Sequence, residues 1–420
     1  MSVEKTVLKN GITVASDKIE NFETVSVGIF VNVGSVNETE ELCGVSHFVE
    51  HMAFKGTEQR TAFEISEAIE SVGGYMNAYT GKEITAYYVK VLKNNLRLAV
   101  DVVTDIIQNS IFNSVEFEKE RGVIIQEIKQ MNDTPDDLAF ELFQKKSFEN
   151  EELGRPILGT IESVRSFNPK DLRNYLKNNY KTSSMVLAAS GNVDHDELTE
   201  ISQNFTEKMT DFETKPPKKQ LYKGGFAHKE KDLEQKHIMI GFEGANHNGG
   251  DKFDQMVFST IIGGGMSSRL FQEVREKRGL VYSIYSYNAN YKDTGTFGIY
   301  AGSDNANSLE VAKIIHNELM TIQDNVKEEE IERAKTQIKA AFLMGLESSS
   351  TRMERMAHQY LLFGRFFSCQ ETTDFINSVN IDSVKNCIKK IISSKPTVTI
   401  VGRGSEVDDV FKVFSAHTLF

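Results

Sequence analysis

Apolar and polar residues alternate along 24–33 (TVSVGIFVNV) and again along 84–91 (ITAYYVKV), the period-2 pattern of strands with one buried face. Helical spacing of apolar residues marks 61–72, 96–110 and 115–131. Strands are few and long helices separate them, which predicts an α+β fold with helices packed on a mostly antiparallel sheet. The pattern then repeats. Ile161-Glu162-Ser163-Val164 leads into 170–176 and the apolar run 185–191, while Ile376-Asn377-Ser378-Val379 leads into 383–388 and 397–402. Both read as helix, short turn, strand. Glu118-Lys119-Glu120-Arg121 has an echo in Glu330-Ile331-Glu332-Arg333, each opening a helix. Between the two halves, 206–225 is rich in Lys, Pro and Gly, including Pro216-Pro217-Lys218-Lys219, and reads as a linker. The expected organisation is two homologous α+β domains, 1–205 and 226–420, joined by 206–225.

A chain of 420 residues, 40% hydrophobic and 26% charged, has material for two cores. It has no run of about 18 apolar residues that would span a bilayer. The N-terminus, MSVEKTVLKNGITVASDK, has neither the charged-then-apolar layout of a secretory signal nor the Arg-rich character of a transit peptide. Three cysteines (Cys43, Cys369, Cys387) are too few for a disulfide framework and form no CxxC pair, so a cytoplasmic location is expected. The net charge of −12 disfavours nucleic acid and anionic membranes as partners, whereas an acidic cavity would attract basic substrates.

The chemistry concentrates in His47-Phe48-Val49-Glu50-His51. On a helix the two histidines and the glutamate fall at roughly 0°, 40° and 300°, all on one face. Imidazoles one turn apart can hold a single zinc ion, and the carboxylate beside them can reach a water in the open position. A catalytic zinc needs a third protein ligand, and the helix 115–131 offers Glu120 and Glu127. Seven residues apart, they face the same way but lie roughly 10 Å from each other. One can bind the metal while the other orients a ligand, and spacing does not say which. In the second half Lys339 stands where Glu127 would, and no HxxEH occurs there. The zinc is therefore expected once per chain, in the first half only.

The segment 44–57 (GVSHFVEHMAFKGT) resembles the pitrilysin and insulinase (M16) family of zinc peptidases, above all the catalytic subunit of the mitochondrial processing peptidase and its bacterial relatives. The likeness extends over Asn77-Ala78-Tyr79-Thr80, over 120–124 with Glu127, over 153–159 (LGRPILG) and over 266–275 (MSSRLFQEVR). It implies His47, His51 and Glu127 as metal ligands, Glu50 as the catalytic base, and Glu120 as the residue that orients a ligand. Phe54 is similar to the aromatic position lining the pocket for the residue after the cut. Asn77 and Ala78 resemble an edge strand that pairs with the substrate backbone. Asp137 and Glu141, one helical turn apart, match acidic positions that receive a substrate arginine. Arg275 and Tyr282 match the pair that grips the peptide near the scissile bond.

The resemblance further implies a chamber of four homologous domains, of which this chain supplies two. A homodimer acting on basic peptides is the expected assembly, with a heterodimer containing an inactive sister chain as the alternative. The long glycine-rich loop of the family's noncatalytic subunit is missing, since only Gly263-Gly264-Gly265 stands at its place. A second function class stays open: a noncatalytic peptide-binding or structural subunit.

Overall fold

A computed structural model describes residues 3–207, 209–212 and 218–415, so part of the expected linker, at 208 and 213–217, lies outside the described residues. The first half of the chain runs β1 (Val3–Val7), β2 (Thr13–Lys18), β3 (Thr24–Val31), α1 (Val45–Ala53), α2 (Ala62–Glu70), β4 (Tyr75–Thr80), β5 (Thr85–Leu92) and α3 (Leu96–Gln108). It continues through α4 (Ser114–Asp133), α5 (Pro135–Ser147), α6 (Ile161–Ser166), α7 (Pro169–Asn179), β6 (Met185–Gly191) and α8 (His195–Thr206). The second half runs β7 (Gly225–Glu230), β8 (Gln235–Gly244), α9 (Lys252–Gly263), a π-helical turn (Phe271–Glu276), β9 (Val281–Asn290), β10 (Gly295–Asp304) and α10 (Ser308–Asn325). It closes with α11 (Glu328–Gly345), α12 (Ser349–Phe363), α13 (Cys369–Ser378), α14 (Ile381–Ile392), β11 (Thr397–Gly402) and α15 (Val407–Ser415).

Local chemistry places the helix starts. Thr61 and Glu64 form a capping box at α2, and the Asn113 side chain accepts the Val115 N–H at 2.8 Å where α4 begins. The strands build two sheets, ordered β1-β2-β6-β3-β5-β4 and β7-β11-β8-β10-β9. Each has one parallel pairing, β2 with β6 and β7 with β11, and is otherwise antiparallel. Without β1 the two orders match strand for strand, and the helices follow in the same sequence. The fold is two homologous α+β domains, each a mostly antiparallel sheet covered by helices.

The compact units do not follow the contiguous division 1–205 and 226–420. One unit comprises Met1–Lys129, Arg155–Lys218 and Leu343–Cys369; the other comprises Gln130–Gly154, Lys219–Phe342 and Gln370–Phe420. The difference comes from two corresponding helices that trade places. The second half donates α12 to the first sheet, where it lies on β2, β3 and β6, and the first half donates α5 to the second sheet, on β7, β8 and β11.

In the first unit Met353, Met356 and Ala357 of α12 pack with Phe30, Ala86 and Val186 of the sheet. Arg352 Nε donates to the wholly buried Asp17 at 2.7 Å, an ion pair whose halves are costly to leave alone. Tyr79 Oη donates to Glu354 Oε1 at 2.7 Å and lies 2.8 Å from His358 Nε2, tying α12 to β4. In the second unit Leu138, Ala139 and Phe143 of α5 pack with Met239, Tyr300 and Val401.

A fragment ending at residue 205 lacks α12 and leaves Asp17, Phe30 and Val186 uncovered. It is expected to bind a hydrophobic dye and to unfold without a cooperative transition, whereas the full chain unfolds cooperatively; a sharp urea transition in the fragment would contradict this packing.

Candidate metal centre

Two helices of the first unit build the site. Val45, Phe48, Val49 and Met52 of α1 face the core, which leaves His47, Glu50 and His51 on the other side. On α4 the buried stripe is Phe117, Glu120, Ile124 and Ile128, with Glu127 beside it. Phe48 stacks on Phe117 with 4.5 Å between ring centres, which holds the helices together.

The donor atoms of His47, His51 and Glu127 all lie within 4.8 Å of one another, the sole such group of His, Cys, Asp and Glu among the described residues. Glu127 Oε2 is 3.7 Å from His47 Nε2 and 3.5 Å from His51 Nε2. These separations are too long for good hydrogen bonds, and Glu127 Oε2 is buried without a hydrogen-bond partner. Three donors about 2.0–2.1 Å from a shared tetrahedral ion would stand roughly 3.4 Å apart. The residues therefore fit a zinc ion.

Glu120 has a different place. It is 6% exposed, with Oε2 on His51 Nδ1 at 3.0 Å and Oε1 on Lys55 Nζ at 2.9 Å. That contact puts the imidazole proton on Nδ1 and turns the Nε2 lone pair toward Glu127. Of the two carboxylates that spacing left open, Glu127 thus meets the imidazole Nε2 atoms and Glu120 stands behind His51. Burial, with a smaller contribution from His51, pushes the His47 imidazole down to about 3, so it stays neutral and available as a ligand. Its Nδ1 is buried without a hydrogen-bond partner.

Burial also raises Glu50, opposed by a hydrogen bond from Thr80 Oγ1 to its Oε2 at 2.5 Å. Thr80 is not evident as a partner of Glu50 from the sequence, because a Thr at a strand end carries no signal of what it meets. Lys55, the ion-pair partner of Glu120, is equally silent in the sequence.

The remaining candidates lie as follows. Phe54 caps the C-terminus of α1 and packs, half-buried, against the core near Tyr87, 6.4 Å between ring centres. Asn77 and Ala78 are on β4, the edge of the first sheet. Asp137, exposed, and Glu141, half-buried, sit one turn apart on α5 in the second unit. Arg275, on the π-helical turn, lies 4.9 Å from the Phe271 ring centre and 5.2 Å from that of Tyr282, which is 77% exposed at the start of β9. Both belong to the second unit. Lys339 is on α11 and donates to Asn377 Oδ1 at 2.8 Å. Cys43 and Cys387 are buried and Cys369 is half-buried. No helix among the described residues is long and apolar enough to cross a membrane.

The structure thus pairs a duplicated α+β scaffold with a two-histidine, one-carboxylate cluster that, among the described residues, occurs in its first half alone. Residues 13–161 match the family described as insulinase (peptidase family M16), and 166–338 match the peptidase M16 inactive domain. The chain belongs to peptidase family M16. It is 38% identical over 396 residues to an uncharacterized zinc protease of Rickettsia bellii, covering 94% of this chain and 96% of that one. It is 34% identical over 404 residues to the uncharacterized zinc protease YmxG of Bacillus subtilis, covering 95% and 98%. The crystal structure of a protease from Helicobacter pylori shares the fold with a TM-score of 0.89 at 22% identity, covering 95% of this chain and 99% of that chain.

The raised Glu50 has a measurable consequence in metal-free protein. A carboxyl raised by folding contributes stability that is present at low pH and is lost as pH rises through the folded value. Glu50→Gln removes that loss and keeps an acceptor for Thr80. In chelator it should melt above the wild type near neutral pH, with the difference closing at about pH 4 and below; a lower neutral-pH melting temperature would count against a strained Glu50.

Proposed function

We propose that this chain is a zinc-dependent endopeptidase that hydrolyses peptide bonds in extended peptides, with a preference for basic residues near the cut. The observation that carries the reading is the convergence of His47, His51 and Glu127 on one point, with Glu127 Oε2 buried and without a hydrogen bond. Zinc held there, one ion per chain, would acidify a water molecule and polarise the scissile carbonyl. Glu50 would take the proton from that water and deliver it to the leaving amine, a role that its raised affinity for a proton suits. Thr80 would hold the carboxylate in line, and Glu120 with Lys55 would hold His51.

Asn77 and Ala78, on an edge strand, would pair with the substrate backbone, which recognises extended peptides with little demand on their side chains. Phe54 would line the pocket after the cut. Arg275 and Tyr282 would grip the peptide near the scissile bond. Asp137 and Glu141 would receive a basic side chain, and the net charge of −12 favours basic peptides. We further propose a homodimer and a cytoplasmic location, the latter because three cysteines are too few for a disulfide framework. The competing function, a noncatalytic peptide-binding or structural subunit, is disfavoured by the retention of Glu50 beside a complete donor set.

Purified full-length protein should cleave basic peptides, lose that activity to a chelator and regain it with zinc; cleavage indifferent to the chelator would overturn the mechanism. Glu50→Gln should keep zinc and lose at least about 10²–10⁴-fold in kcat, whereas Glu127→Gln should lose the zinc, both read by metal analysis beside the peptide assay. On an arginine-containing peptide, Asp137→Asn with Glu141→Gln should raise KM and leave kcat for a neutral peptide unchanged. An unchanged ratio between the two peptides would remove these residues from specificity.

A further inference from the structure

The first turn of α1 is capped in an uncommon way. Its N-cap is Gly44, which has no side chain to offer and a φ of +95°. No side chain fits there either, since a Cβ would lie 2.7 Å from the Cα of Gly159. The capping comes instead from Glu38 in the preceding loop, 3% exposed. Its Oε2 accepts the Gly44 N–H at 2.8 Å and its Oε1 accepts the Ser46 N–H at 2.9 Å. Ser46 Oγ in turn lies 2.7 Å from Tyr175 Oη. The next residue along the helix is His47.

We propose that Glu38 is a positioning residue whose carboxylate clamps the first turn of α1 and so aims His47 and Glu50, and that the clamp loosens when this carboxylate takes up a proton. The inference rests on reading α1 as the metal-carrying helix. A carboxylate accepts from both N–H groups and complements the positive end of the helix. A carboxylic acid has one good acceptor and a hydroxyl turned toward an N–H donor, so one of the two bonds is lost. The titratable groups around it are Tyr175 from α7, Lys82 from the turn after β4, and Arg155, whose guanidinium donates to the Glu38 carbonyl at 2.6 Å. Burial pushes Tyr175 well up, which leaves it neutral. Burial likewise raises Glu38 to about 7, against the lowering effects of the Gly44 and Ser46 groups and Lys82. The folded acid is thus favoured at low pH, and the clamp forms as pH rises through about 7, at some cost in fold stability.

The test is zinc affinity of the full chain by chelator competition, from about pH 6 to about pH 8.5. Wild type should gain affinity across this range through a component that Glu38→Gln lacks. The variant should be roughly 10–100-fold weaker at the alkaline end and equal to wild type at the acid end. A gap that is constant with pH, as a merely structural residue would give, or no gap at all, overturns this inference alone. Absence of zinc binding by the wild type overturns the metal reading and this inference with it. Should Glu38→Gln fail to fold by circular dichroism, Lys82→Met serves instead: loss of that cation must move the wild-type component to higher pH, and an unmoved midpoint overturns the proposal.

Discussion

The stack of Phe48 on Phe117 sets how closely α1 and α4 approach, and every donor atom of the cluster is carried by one of those helices. The packing that buries Phe117, Ile124 and Ile128 also draws Glu120 and Glu127 toward the histidines. Glu120 finds partners for both oxygens, in His51 and Lys55. Glu127 Oε2 finds none, and a buried acceptor left unsatisfied costs about 1–3 kcal/mol, more when it is charged. The Glu127 side chain is 37% exposed, yet this oxygen is turned inward beside the two imidazoles. The helix pair therefore holds an arrangement that a cation would relieve, and its rigidity is what keeps the three donors apart from one another and ready.

The second unit shows what the same scaffold does without that constraint. It keeps the strand order, and two of its charged side chains find other partners. Lys339, at the place of Glu127, reaches Asn377, and Arg269 pairs with Glu330 at 2.6 Å. Arg275 is an exception, since its guanidinium rests between the Phe271 and Tyr282 rings. Such stacking holds a flat cation in place while leaving its N–H groups free to donate.

Much of this was legible in the sequence. Alternation gave β3 and β5 to within a few residues, and helical spacing gave α2, α3 and α4; that β3 is buried along nearly its whole length, with α12 on its second face, was not legible from its alternation. The motif 47–51 was legible since a helix converts spacing directly into direction. The exchange of α5 and α12 was not, because an amphipathic pattern records that a face is buried and carries no label for the sheet that buries it. Glu38 was equally hidden: an acidic residue in a loop beside Glu40 and Glu41 reads as solvated, and only the fold reveals that its carboxylate is spent on backbone N–H groups. The choice between Glu120 and Glu127 needed a family likeness, since seven residues on a helix return to nearly the same direction.

The exchanged helices also order events in time. A chain made from its N-terminus ordinarily lets the first domain fold while the rest is still being synthesised. Here the first sheet receives its covering helix only from Ser349–Phe363, and its unit extends to Cys369. The unit that carries the donor cluster therefore gains its last helix only after residue 363 has been made, long after the donors themselves.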